Sequence, residues 1–122
     1  MASLLIVDDE HDVLEVLDLL FSMEGHSVHT ARDGAAALEI ALTTPLDLVL
    51  TDVMMPRMDG IELCRRLKAN PRTHDLPIIV HTAGGPPPGG QGTVYDAYLP
   101  NPADFDEQRR LVERLLGSAR DR

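Results

Sequence analysis

Short apolar runs that stop abruptly at acid constrain this chain more than anything else in it. Leu4-Leu5-Ile6-Val7 ends at Asp8-Asp9-Glu10, and Leu46 to Thr51, broken only by Asp47, delivers Asp52 at its C-terminal end. A continuous apolar run of this length reads as a strand buried on both faces, the habit of parallel sheets covered by helices on each side. Helical spacing fills the gaps. Val13, Val16, Leu17 and Leu20 predict a first helix, with acids in its first turn and Gly25 placed to end it. Ser27 to Ala31 predicts a second strand. Asp33 then caps a helix whose stripe is Ala35, Leu38, Ala41 and Leu42, and Pro45 closes the unit. After the turn-rich Met55-Pro56-Arg57-Met58-Asp59-Gly60, a third helix carries Ile61, Cys64 and Leu67 and ends at Asn70-Pro71.

Ile78-Ile79-Val80 predicts the fourth strand and Tyr95 to Leu99 the fifth, with a last helix from Asp104 presenting Phe105, Leu111, Val112, Leu115 and Leu116. Strands alternating with helices imply an α/β fold with a parallel sheet and right-handed crossovers. One interval departs from the alternation. Residues 84–92 hold three prolines and five glycines, which cannot sustain an ordinary helix, so a loop is expected there.

The 122 residues fit one domain spanning 1–122, without internal repeats. A single cysteine, Cys64, leaves no intramolecular disulfide, and the N-terminus lacks signal-peptide character, so a soluble, cytoplasmic protein is expected. Eleven basic against twenty acidic residues give a net charge of −9, which repels nucleic acid and anionic membranes. Output is therefore expected to pass through another protein.

In an open α/β sheet, ligands bind outside the carboxyl ends of the strands. Asp8, Asp9 and Asp52 fall there. Each alone is explained by capping or turn formation, but if the first and third strands are neighbours the three carboxylates converge on one crevice, where they repel one another unless a cation neutralises them, and hard oxygens suit Mg²⁺. The five histidines show no ligand spacing, Met54, Met55 and Met58 suit packing and turn lining, and Cys64 lies on an apolar stripe as an inert thiol.

The segments from Leu4 to Glu10 and from Asp47 to Gly60 resemble the response-regulator receiver family. Pro77-Ile78-Ile79-Val80-His81-Thr82-Ala83 is similar to its fourth strand and switch hydroxyl, and Asp96-Ala97-Tyr98-Leu99 to its fifth strand. The resemblance implies the flavodoxin-like (βα)5 fold with strand order 2-1-3-4-5. It implies that Asp52 accepts a phosphoryl group from a histidine kinase or histidine phosphotransfer protein. Mg²⁺ would be held by Asp8, Asp9, Asp52 and the backbone carbonyl of Met54. Thr82 would bond a phosphoryl oxygen and Tyr98 would be the switch aromatic, passing the signal to an unknown downstream protein.

Two departures stand against the family pattern. Asn101 occupies the place of the family lysine, offering a hydrogen bond without charge, and the Gly/Pro segment replaces the helix between strands four and five. The alternative is accordingly a phosphorylation-independent pseudo-receiver acting as a protein-binding module. A turnover phosphatase is disfavoured because Met54 stands where a general acid would be needed, and flavin binding because the first strand ends in acids rather than a glycine loop.

Overall fold

The apolar runs become the inner strands of one five-stranded parallel sheet. In the computed structural model, which describes residues 2–87, 94–100 and 103–120, the elements are β1 (Ser3–Val7), α1 (His11–Met23), β2 (Ser27–Ala31), α2 (Gly34–Thr43), β3 (Leu48–Asp52), α3 (Gly60–Ala69), β4 (Ile78–Thr82), β5 (Ala97–Pro100) and α4 (Phe105–Arg120). The strand order is β2-β1-β3-β4-β5, the flavodoxin-like order expected. Alternation along each strand divides the core. Leu5, Val7, Val49, Ile78 and Val80 pack against α2 and α3, while Leu4, Ile6, Leu48, Leu50 and Ile79 pack against α1 and α4.

Asp47 explains its own presence at the start of an apolar run. It lies outside β3, where its carboxylate accepts the Ser3 N–H at 2.7 Å and its own N–H donates to the Ser3 carbonyl at 2.7 Å. Asp33 caps α2 through the Ala36 N–H at 2.8 Å, and Gly25, with φ +91°, turns the chain after α1.

Two helices present a different face from the one expected. In α1 the buried residues are Leu14, Leu17 and Phe21, whereas Val16 is 56% exposed and Val13 and Leu20 are half-buried. Both sets have helical spacing, and the set containing the bulky Phe21 removes more apolar area from water. In α2 it is Gly34, Ala37 and Ala41 that are fully buried, and Ala35 is exposed. Small residues are required because α2 packs close to the β3–α3 turn. A Cβ on Gly34 would lie 2.9 Å from Met58. The stripes of α3 and α4 match expectation.

The fifth strand begins at Ala97 rather than Tyr95, and Tyr95 forms an isolated bridge. No helix lies between β4 and β5 among the described residues, and 88–93 fall outside them. Side chains hold this connection instead. Asp96 accepts the Ile78 N–H at 2.8 Å and Lys68 Nζ at 2.9 Å, and the buried Tyr95 hydroxyl donates to the Pro87 carbonyl at 3.0 Å.

Candidate functional site

The strand rows that face α1 and α4 end in polar groups. Leu48 and Leu50 are followed in the same row by Asp52, Leu4 and Ile6 by Asp8, and Ile79 by His81, which is the register partner of Asp52. Asp9 follows Asp8. One carboxylate oxygen from each of Asp8, Asp9 and Asp52 lies within 4.8 Å of the others. Two backbone donors fix this arrangement: the Glu10 N–H reaches Asp8 Oδ1 at 2.9 Å, and the Met54 N–H reaches Asp52 Oδ1 at 3.2 Å. Asp8 is only 4% exposed.

Burial and crowding oppose ionisation. The Asp8 carboxyl lies above its ordinary 3.8 chiefly through burial, opposed by the Glu10 N–H, and the charges of Asp52 and Asp9 push it further up. Asp52 is raised for the same leading reason, with Asp9 and Glu10 adding repulsion against two backbone donors. A folded pKa above the unfolded one means that the fold binds more protons between those two values, so stability falls as pH rises through the interval. Relative to Asp52→Asn, metal-free wild type should therefore gain stability as pH is lowered toward about 3.8, a comparison in which the opposing contribution of buried His81 is shared by both proteins. Urea melts of the two across that range check this; a stability difference that does not change with pH would show that the carboxylates do not strain one another.

The donor set fits a hard dication. Three anionic oxygens on rigid strand ends, with no sulfur or imidazole among them, suit Mg²⁺, which takes few protein carboxylates and keeps its remaining waters. The Met54 side chain is 73% exposed at the rim, and the Met55 side chain is buried in the core.

Thr82 ends β4 on the opposite row, buried, its hydroxyl accepting the Gly84 N–H at 3.5 Å. Tyr98 is half-buried against the α2/α3 core, and its hydroxyl donates to the Thr82 carbonyl at 3.5 Å. Asn101 lies outside the described residues. Cys64 is fully buried, its thiol pushed up to about 12 by burial.

Two residues escaped sequence reasoning. His81, one of the five histidines without ligand spacing, is 8% exposed, and burial lowers its pKa against the opposing charge of Asp8. Gly60 begins α3 so close to β3 that a Cβ there would lie 2.2 Å from the Asp52 carbonyl oxygen. A glycine directly after the capping Asp59 was the available signal for Gly60; for His81 it was the imidazole interrupting an apolar strand.

Comparisons with known proteins bear on the family and the fold. The family model for the response regulator receiver domain matches residues 4–91. The response regulator MprA of Mycobacterium sp. (strain KMS) is 40% identical over 116 residues, covering 93% of this chain and 50% of the relative, and that of Mycobacterium leprae (strain TN) is also 40% identical with the same coverage. The chain thus spans about half the length of the curated relatives it matches. Among solved structures, the receiver domain of a histidine kinase from Syntrophus aciditrophicus is 30% identical with a TM-score of 0.87, covering 97% of this chain and 92% of that one. The response regulator TrrA of Thermotoga maritima, solved in complex with Mg²⁺ and BeF, is 30% identical with a TM-score of 0.84, covering 94% and 99%.

Proposed function

This chain belongs to the response regulator receiver domains of two-component signalling, and from that premise we propose that Asp52 is its phosphoryl acceptor, charged by a histidine kinase or histidine phosphotransfer protein. The observation that carries the reading is the convergence of Asp8, Asp9 and Asp52 at the strand ends. An Asp52 carboxylate oxygen attacks the phosphorus of a phosphohistidine. The new P–O bond forms as the P–N bond breaks, and the electron pair leaves with the imidazole nitrogen. The Met54 N–H holds the Asp52 carboxylate in one orientation. Asp8 and Asp9, with Asp52 and the Met54 carbonyl, would hold Mg²⁺, whose charge offsets that developing on the transferred group. The Thr82 hydroxyl then exchanges its contact with the Gly84 N–H for a phosphoryl oxygen. The Tyr98 hydroxyl, bonded to the Thr82 carbonyl, carries the movement toward a downstream protein.

Incubation with Mg²⁺ and acetyl phosphate, read by intact mass, tests the reading. One phosphoryl group should be gained with Mg²⁺ and none in chelator. A protein that stays unmodified at every Mg²⁺ concentration would be the pseudo-receiver instead, which Asn101 in the lysine's place favours.

That residue can be tested separately. A neutral amide stabilises a phosphoryl oxygen less than an ammonium does, so Asn101→Lys should speed phosphorylation by up to about 10²- to 10³-fold, the scale of one preorganised electrostatic contact. Beryllofluoride affinity at equal Mg²⁺ should rise with it. If neither changes, position 101 does not reach the phosphate.

A further inference from the structure

Behind the acidic crevice, between α1, the end of β5 and the start of α4, lies a cleft of about 350 Å³. Its walls are mostly apolar, with Val13, Val16, Leu17 and Leu99 prominent, and the 56% exposed Val16 marks its opening to solvent. Three polar side chains interrupt those walls: Asp12, His81 and Gln108. We propose that this cleft is a binding site for a small organic ammonium ion with an apolar body, a ligand class separate from the phosphoryl donor and the metal.

The polar groups select the ligand because each presents an acceptor. Gln108 commits its Nε2 to the Ala103 carbonyl at 3.0 Å, leaving Oε1 buried without a hydrogen bond among the described residues. A buried acceptor left unmade typically costs about 1–3 kcal/mol, which a donor reaching it from the cleft would recover. His81 is 8% exposed, lines the cleft and has no hydrogen bond among the described residues, so a ring nitrogen is left without a partner there. Asp12 at the N-terminal turn of α1 offers only lone pairs and a negative charge.

An ammonium group supplies several donors and the complementary charge at once, while the valine and leucine walls take an aryl or alkyl body. The net charge of −9 further raises the local concentration of cations and opposes anions. The volume sits at the lower end for ligand sites, which sets the ligand's size. His81 pairs in register with Asp52 and immediately precedes Thr82, whose side chain lies on the other face of the sheet.

The probe is phenethylamine, titrated into ¹⁵N-labelled protein in saturating Mg²⁺ so that the acidic triad does not compete for the amine. Phenylacetate and ethylamine serve as controls. Saturable amide shifts should be confined to α1, His81 and α4, with both controls at least about tenfold weaker, because one lacks the charge and the other the apolar body. Gln108→Leu should weaken phenethylamine about tenfold, and Ala103→Trp, which fills the cleft, should abolish its binding. The proposal is overturned by absent or non-saturable shifts in the wild type, by phenylacetate binding as well as the amine, or by unchanged affinity in both variants.

Discussion

Asp52→Asn should remain folded and gain no phosphoryl mass with acetyl phosphate and Mg²⁺, whereas the wild type gains one group. The side chain keeps its size and its acceptor toward the Met54 N–H, so the β3–α3 turn is preserved, but an amide oxygen is not the nucleophile that a carboxylate is. Metal response should fall with it. A ligand present at a hundred times its dissociation constant stabilises a fold by about 2.7 kcal/mol, and the wild type should show a Mg²⁺ effect of that order. The variant, missing one of three anionic oxygens, should show much less, while its metal-free form is more stable than the wild type because a half-buried repulsive charge is gone. Phosphorylation persisting in Asp52→Asn would move the acceptor elsewhere; lower metal-free stability would mean that the carboxylate is mainly a structural acceptor.

Gly60→Ala should destabilise the protein by about 1–3 kcal/mol or more, the range for forcing extra volume into a packed site. The added Cβ would meet the Asp52 carbonyl oxygen at 2.2 Å, Val53 Cα at 2.9 Å and the Asp52 carbonyl carbon at 3.0 Å. All three are backbone atoms and cannot swing aside. Relief requires moving α3 away from β3, which would also break the 2.9 Å bond from the Gly60 N–H to the Val53 carbonyl. Because the displaced strand end carries Asp52, phosphorylation should slow as well as stability fall. Gly84→Ala is the control, since nothing among the described residues lies within 4 Å of its Cβ position. Denaturant melts of the two variants decide the matter, and equal stability would mean that α3 can shift at little expense.

Gly60 also shows where the sequence stopped being legible. The parallel sheet, and with it the placing of Asp8, Asp9 and Asp52 along one edge, followed from apolar runs ending in acid, because a parallel sheet sends every strand's carboxyl end to one side; the strand order that makes β1 and β3 neighbours followed only from the family resemblance. The buried faces of α1 and α2 did not follow. Neighbouring apolar sets on α1 share the same periodicity, and only the sheet decides between Val16 and Phe21. On α2 the deciding fact was the approach of Met58 to Gly34, a contact between segments distant in sequence. His81 was missed for a related reason. Alternation places it in the row of Ile79, but its burial, and with it the lowered pKa, depends on α1 and α4 closing over that row. Asp96 reads as part of the fifth strand, but it lies just before Ala97, where its carboxylate is the acceptor that ties Lys68 and Ile78 together.

The proposed role of Asp52 is tested most directly by locating the phosphoryl group in the wild-type chain. Borohydride reduces an aspartyl phosphate to homoserine, a permanent mark that survives digestion. After treatment with acetyl phosphate and Mg²⁺, reduction and peptide mapping should find homoserine at position 52 and at no other aspartate. Homoserine at Asp8 or Asp9, a phosphate on a histidine such as His81, or an unmarked chain would contradict the account.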